Sequence, residues 1–243
     1  MHATASRPPR SSLAIIAALV AAFPCIAAEV PPRRAPDTMA ERVRPCTACH
    51  GDEGRATADG YFPRIAGKPA DYLFNQLSNF RDGRRQQRGM RYLVAHLDDA
   101  YLRDMARHFA ALDPPYAAPL PATAAADAME RGRVLATRGD AAAQLPACTT
   151  CHGERLTGTL PAVPGLIGLP RDYLNAQIGA WRNGTRRAAA PDCMQAIAQR
   201  LDAADLGAVT AYLSAQAVPA NHAPAVAPAR PPLDCGSMPG VRP

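Results

Sequence analysis

A short cysteine pattern occurs twice in this chain of 243 residues. Residues 46–51 read Cys-Thr-Ala-Cys-His-Gly, and residues 148–153 read Cys-Thr-Thr-Cys-His-Gly. Two thiols one helical turn apart, followed at once by a histidine, are typical of c-type haem attachment. A zinc site and a redox-active thiol pair are the alternatives. Because each pair has its own histidine and lies far from the other pair, the pattern favours two separate haem groups.

The pattern assigns a role to each of its side chains. In both copies the two thiols add to vinyl groups of the haem, and the histidine ligates the iron. The predicted haem-binding residues of the motifs are Cys46, Cys49, His50, Cys148, Cys151 and His152. We therefore expect two covalently bound haem c groups, attached outside the reducing cytosol.

The first 28 residues have the features of an export signal. Arg7 and Arg10 precede an apolar run at residues 13–23, and Ala28 ends a site of small residues suited to cleavage. The run is short for a membrane span, and an uncleaved anchor is the alternative. We expect residues 1–28 to be a signal peptide and the mature protein to lie in the periplasm, with association at the membrane surface left open.

An internal repeat divides the rest of the chain. Gly67-Lys-Pro-Ala-Asp-Tyr-Leu corresponds to Gly168-Leu-Pro-Arg-Asp-Tyr-Leu. A proline-rich segment between the copies cannot propagate a helix. The predicted domains are residues 29–112 and 123–217, joined by a linker at 113–122 and followed by an Ala/Pro-rich tail at 218–243. We expect that tail to be disordered.

Hydrophobic periodicity predicts helices in both copies. Apolar residues recur at i, i+4 and i+7, and the matching stripes are Leu73, Leu77 and Phe80 in the first copy and Leu174, Ile178 and Trp181 in the second. A second stripe follows in each copy, with Asp98 and Asp202 near the predicted helix starts. No stretch shows the alternation of a strand, so the predicted fold class is all-α.

The repeat also identifies a second iron ligand in each copy. Met90 lies seven residues before Leu97, and Met194 lies seven residues before the equivalent Leu201. A thioether opposite a histidine completes the coordination of the iron and favours the ferrous state, which suits electron transfer. The predicted axial pairs are His50 with Met90 and His152 with Met194.

Charge argues against one class of partner. Taking the two signal arginines from 27 basic residues leaves 25, against 21 acidic residues. This small surplus is shared evenly between the two halves, so neither half is typical of a nucleic-acid-binding arm. A weakly basic surface suits transient docking to an acidic redox protein instead.

With these motifs in place, the chain resembles the dihaem cytochromes c of the cytochrome c4 family from about Asp37 to Ala217. The resemblance rests on the paired motifs, the repeated Pro-x-[Ile/Leu]-x-Gly-x-Pro-x-Asp-Tyr-Leu segments and the single methionine in the loop after each. It implies tandem class I cytochrome c domains related by a pseudo-twofold axis. It further implies supporting roles around the haems for Pro63, Pro164, Tyr72 and Tyr173.

The resemblance also implies a function. A protein of this family is expected to shuttle single electrons from a quinol-oxidising complex or a dehydrogenase to a terminal oxidase or another acceptor. We accordingly expect an electron-transfer protein and not an enzyme. The alternative that keeps the same chemistry is a cytochrome subunit of a dehydrogenase complex.

Once the four motif cysteines and Cys25 of the predicted signal peptide are set aside, two of the seven cysteines remain. In an oxidising compartment Cys193 and Cys235 would form a disulfide that ties the tail across the methionine loop, if the distance allows it. Cys193 also raises the alternative of a dihaem thiosulfate dehydrogenase that uses its sulfur as a haem ligand. Because Met194 and not Cys193 aligns with Met90, we expect neither this activity nor a peroxidase activity, which needs an open iron.

Overall fold

Helices dominate both halves of the chain in a computed structural model that describes residues 37–119, 121, 124–226 and 232–238. Lobe 1, residues 37–112, contains α1 (Met39–Arg42), α2 (Arg44–His50), a 3₁₀ turn (Asp52–Gly54), α3 (Ala70–Arg81), α4 (Arg88–Val94) and α5 (Asp99–Ala110). Lobe 2, residues 124–217, contains α6 (Ala126–Thr137), α7 (Cys148–His152), α8 (Arg171–Arg182), α9 (Cys193–Arg200) and α10 (Ala203–Ser214). The predicted signal peptide lies outside the described residues.

Helix starts follow from local chemistry that is repeated between the lobes. α3 and α8 begin directly after Pro69 and Pro170, whose fixed φ suits the entry to a helix. α5 and α10 begin after Asp98 and Asp202, and each carboxylate accepts a hydrogen bond from a backbone N–H of the first turn. The predicted all-α class is confirmed.

A small hairpin in lobe 2 was not predicted by periodicity. β1 (Gly158–Thr159) pairs antiparallel with β2 (Val163–Pro164) shortly after the second cysteine motif. Strands of two residues are too short to produce a visible alternation of apolar and polar side chains.

The two methionine segments are helices and not the loops that the sequence led us to expect. The side chain of Gln87 caps α4 by accepting a hydrogen bond from the Met90 N–H at 2.7 Å. Asp192 caps α9 by accepting one from the Gln195 N–H at 3.1 Å. Helices of seven and eight residues show too few turns for a clear apolar stripe.

Each lobe has its own apolar core. The core of lobe 1 centres on Val43, Val94, Leu102 and Phe109, all at most 4% exposed. The core of lobe 2 contains Leu135, Leu145, Leu174, Val209 and Leu213. α6 and α10 cross so closely at Gly132 that a side chain there would strike the Ala208 carbonyl. Within the described ranges, no helix is long and apolar enough to cross a membrane.

The lobes meet through equivalent segments of the repeat. Backbone hydrogen bonds of 2.9 and 2.7 Å join residues 84–86 reciprocally to residues 185–187. At the centre of these segments, Arg85 and Arg186 form an isolated antiparallel bridge. Equivalent positions that contact each other reciprocally are what a pseudo-twofold axis between tandem domains produces.

The described parts of the tail lie against the lobes, which differs from the disorder that we expected. Ala225 exchanges backbone hydrogen bonds with the β1 region, and His222 donates to the Asp113 carboxylate at 2.8 Å. The Asn75 amide donates to the Ser237 carbonyl at 3.0 Å. These contacts join residues that are far apart in the chain, so the local composition of the tail could not reveal them.

Candidate functional site

Each lobe contains a cavity that gathers one set of predicted residues. The cavity of lobe 1 is lined by Cys46, Cys49, His50 and Met90. The cavity of lobe 2 is lined by Cys148, Cys151, His152 and Met194. The fold therefore brings together four side chains of the types that haem c requires, in two separate places. Ligation of iron by these residues stays a prediction.

Helices α2 and α7 carry the cysteines and end at the histidines. The glycine after each histidine, Gly51 or Gly153, has a φ of 75° or 82°, which side-chain-bearing residues rarely adopt. This turn ends the helix and sends the chain away from the imidazole. Burial raises the pKa of Cys46 and Cys148 to about 11, so both thiols are protonated at neutral pH.

Both histidines are held by a backbone carbonyl. Nδ1 of His50 lies 2.9 Å from the Pro63 oxygen, and Nδ1 of His152 lies 2.7 Å from the Pro164 oxygen. Because a carbonyl can only accept, Nδ1 carries the proton and Nε2 keeps a lone pair for a metal. Burial lowers the pKa of both imidazoles, which keeps them neutral. The two prolines thus act through their carbonyls.

The walls of both cavities suit a large apolar ring. The lobe 1 cavity is lined by Leu73, Leu77, Phe80 and Phe109. The lobe 2 cavity is lined by Leu135, Val163, Leu174, Ile178 and Leu213. Two thiols, a neutral imidazole with an available Nε2 and a thioether complete a donor set that fits haem c in each lobe.

A disulfide alters the surroundings of Met194. Cys193 is bonded to Cys235 with their Cα atoms 5.1 Å apart, which is the pairing that the sequence left open. A disulfide sulfur is not a thiolate, so Cys193 in this state has no anionic sulfur to offer as a haem ligand. Leu233 and Met238 of the tail also line the lobe 2 cavity, and the tail therefore forms part of its wall.

A polar cluster lies between the two cavities, and of its members only Tyr72 and Tyr173 were expected near the haems from the sequence. Its members that line both cavities are Tyr72, Gln76, Tyr173, Gln177 and Arg186. Arg85 donates to Gln177 at 2.7 Å and to the Tyr173 hydroxyl at 3.2 Å, both in the other lobe. The equivalent positions of Arg85 and Arg186 in the repeat were the available signal, but arginine is usually a surface residue.

Lys68 makes the two lobes electrostatically unequal. It lines both cavities, whereas its repeat equivalent is the apolar Leu169. Burial lowers the pKa of Lys68 to about 8. A lysine of lobe 1 therefore reaches the cavity of lobe 2, whereas the equivalent position of lobe 2 contributes an apolar side chain.

Comparisons with known proteins agree with this chemistry. A family model described as "Cytochrome c" matches residues 130–217. The thiosulfate dehydrogenase electron acceptor of Thiomonas intermedia is 36% identical over 86% of this chain and 92% of its own length. Cytochrome c4 of Pseudomonas aeruginosa is 34% identical over 69% of this chain and 82% of its own. A solved thiosulfate dehydrogenase (TsdBA) of Marichromatium purpuratum superposes with a TM-score of 0.63 and 34% identity, over 71% of this chain. The match spans only 36% of that longer chain.

These similarities correct the expectation that the chain is not an enzyme and that thiosulfate dehydrogenase activity is absent. Two relatives are named for a thiosulfate dehydrogenase, and a solved thiosulfate dehydrogenase contains a region of this fold. The expectation rested on two complete histidine–methionine ligand sets. Such a set has the same appearance in a free shuttle and in the redox part of an enzyme, so it could not exclude a role in thiosulfate oxidation.

Proposed function

Because the chain belongs to the cytochrome c4 family, we propose that it receives electrons from thiosulfate oxidation in the periplasm and passes them to an oxidase or another acceptor. The observation that carries the proposal is the pair of cavities, each lined by two cysteines, a histidine and a methionine. The name of the Thiomonas relative directs the choice of donor. A quinol-oxidising complex is the second candidate donor.

The chain's own residues would hold and insulate two haem c groups. When bound, haem c supplies a one-electron ferric/ferrous couple. His50 and His152, fixed through Nδ1, would offer Nε2 to the metal, while Met90 and Met194 would supply a thioether ligand and help to exclude water. Because the two histidines are fixed by backbone carbonyls and the two methionines lie on helices with capped starts, oxidation and reduction would require little rearrangement.

The electron count supports a carrier with two sites. Joining two thiosulfate ions through a new S–S bond releases two electrons. Each lobe would accept one of the two electrons released by a single oxidation event. Each lobe would then pass its electron on separately. A carrier with one site would have to dock twice for the same reaction.

Lobe 1 offers the more open surface for docking. Helix α4 carries Met90 and also the exposed side chains of Arg88, Arg91 and Tyr92, the last of which is 82% exposed. Neither arginine forms an ion pair with any residue that the structure describes. In lobe 2 the equivalent helix α9 is tied to the tail through Cys193. We therefore propose that an acidic face of the dehydrogenase docks on α4.

Stopped-flow mixing with a purified thiosulfate dehydrogenase tests this function. Oxidised protein, dehydrogenase and thiosulfate should give reduction of both haems, and omission of either thiosulfate or the dehydrogenase should abolish it. Reduction by thiosulfate alone would assign the catalysis to this chain and overturn the acceptor role. Reduction by a quinol-oxidising complex but not by the dehydrogenase would favour the second donor.

A further inference from the structure

Two arginines at the junction of the lobes are buried together without an acidic partner. Arg186 is 5% exposed, and Arg85, its repeat equivalent, is partly buried beside it. Among the residues that the structure describes, no carboxylate forms an ion pair with either guanidinium. Taking a charged group out of water costs several kcal/mol per ion unless an opposite charge compensates it. The pair therefore points to an anion that the polypeptide does not supply.

The neutral partners of these arginines leave donors unused. Arg186 donates to Gln177 at 2.8 Å, to Gln76 at 3.0 Å and to the Tyr72 hydroxyl at 3.5 Å. These bonds use three of the five N–H donors of the guanidinium. Arg85 likewise makes three bonds, to Gln76, Gln177 and Tyr173. Each guanidinium can still form charge-assisted hydrogen bonds with a carboxylate.

A third donor lies beside Arg186. Its guanidinium stacks on the Trp181 ring, 3.7 Å from the ring centroid, and Trp181 lines the lobe 2 cavity. The buried Nε1 of Trp181 has no hydrogen-bond partner in the described chain. A buried N–H without a partner costs about 1–3 kcal/mol, so this donor is an independent sign of a missing acceptor. In lobe 1 the equivalent ring, under Arg85, is Phe80, which has no N–H.

The position of these donors identifies the anion. Arg186 lines both cavities and Arg85 lines the cavity of lobe 1. Haem c is apolar over most of its surface and carries two propionate carboxylates at one edge. We propose that Arg186 binds propionate groups of both haems, with Trp181 Nε1 completing the site in lobe 2 and Arg85 the site in lobe 1. One guanidinium then provides a shared counter-charge at the pseudo-twofold axis.

This assignment predicts a shift at both haems from one substitution. A positive charge near an iron favours the less positive ferrous state, so its removal lowers the reduction potential. In Arg186→Gln both potentials should fall, each by roughly tenfold in the ferrous/ferric equilibrium, which is about 59 mV for one electron. In Arg85→Gln only the lobe 1 potential should fall. The inference rests on the proposed function only for the presence of two haems.

Spectroscopic redox titration of the haem-loaded protein measures these shifts. The matched control is Arg187→Gln, since Arg187 is the exposed neighbour of Arg186 and its side chain makes no hydrogen bond or ion pair in the described chain. Both potentials should stay at the wild-type value in this control. Equal shifts in the Arg186 and Arg187 variants, or a shift at one haem only in Arg186→Gln, would overturn the shared site.

Two milder variants test the propionate site if Arg186→Gln fails to fold. Arg186→Lys keeps the charge but loses the planar fork, and both potentials should fall by less than in the glutamine variant. Trp181→Phe keeps the stacked ring but removes the N–H, and only the lobe 2 potential should change. Unchanged potentials in both variants would show that no propionate lies there. Failure of the thiosulfate experiment would leave these titrations unaffected.

Discussion

At the scale of single residues, the two methionines predicted as iron ligands have very different neighbours. Met90 lies on α4, beside the exposed Tyr92 and two arginines that form no ion pair with any described residue. Met194 directly follows Cys193 of the disulfide, and residues of the tail line the same cavity as Met194. Two haems held by equivalent ligands in such unequal surroundings would differ measurably, so the predicted assignment can be tested one residue at a time.

Replacement of Met90 by leucine should affect one haem only. Loss of the thioether removes the ligand that favours ferrous iron, so the potential of the lobe 1 haem should fall while that of the lobe 2 haem stays nearly unchanged. About half of the sulfur-to-ferric-iron charge-transfer band should disappear. A redox titration combined with the absorption spectrum provides both measurements.

Met105→Leu is the matched control for this variant. Met105 belongs to the apolar core of lobe 1 and is 5% exposed, and leucine nearly conserves its volume. The substitution should cost less than about 1.5 kcal/mol of unfolding free energy and leave both potentials in place. Equal falls at both haems in Met90→Leu would contradict the assignment of one methionine to each lobe.

The distance along the chain between the site residues determined how much of the candidate site could be predicted from the sequence. The motif places cysteines and histidine a few residues apart, so His50 and its cysteines were predictable from local spacing. Met90 is forty residues further on and was found only because the repeat supplied Met194 as a second example. Arg186 could not be recognised, because its burial results from packing against the other lobe.

At the scale of secondary structure, prediction succeeded where apolar periodicity covers three turns. Helices α3 and α8 each have 12 residues and a complete apolar stripe. Helices α4 and α9 are shorter, and their starts depend on caps by Gln87 and Asp192 that periodicity cannot identify. The tail contacts arise from tertiary pairing over long stretches of chain. No local rule predicts these contacts, although the presence of Cys193 and Cys235 suggested the disulfide.

The disulfide between α9 and the tail should stabilise lobe 2. It closes a loop with a sequence separation of 42 residues, for which a cross-link contributes about 2–4 kcal/mol through the unfolded chain. Replacing both cysteines, Cys193→Ser with Cys235→Ser, should lower the midpoint of thermal unfolding of lobe 2 and expose the tail to proteases. Calorimetry and limited proteolysis measure the two effects.

Reduction of the wild-type protein with a mild thiol reagent is the control for that double variant. It opens the same bond without replacing any side chain, and the haem thioethers do not undergo thiol exchange. Because thiols also reduce ferric haem, both samples are compared in the ferrous state. Both samples should therefore lose the same stability. An unchanged midpoint in both would mean that the disulfide does not stabilise lobe 2.

At the scale of the whole molecule, the two lobes share one architecture but differ in access. The tail covers the methionine helix of lobe 2, and the equivalent helix of lobe 1 remains exposed. The junction between them contains the polar cluster, whose member Arg186 lines both cavities. This arrangement favours entry of electrons through lobe 1 and their transfer across the junction to lobe 2.

Reversal of charge on α4 should therefore slow reduction by the dehydrogenase. We expect Arg88→Glu with Arg91→Glu to lower the second-order rate constant by about tenfold at low ionic strength, because like charges would then oppose docking. The difference from wild type should fade towards 1 M salt, where the screening length is only about 3 Å. Stopped-flow reduction at several salt concentrations measures both effects.

The matched control is a reversal of equal size on the other lobe. Arg138 and Arg155 are exposed in lobe 2, so Arg138→Glu with Arg155→Glu changes the net charge by the same amount as the α4 variant. If net charge alone guided the encounter, both double variants would be slowed equally. If the dehydrogenase docks on α4, only the lobe 1 variant should lose most of its second-order rate constant and the salt dependence of that constant. The potentials of both haems should stay unchanged.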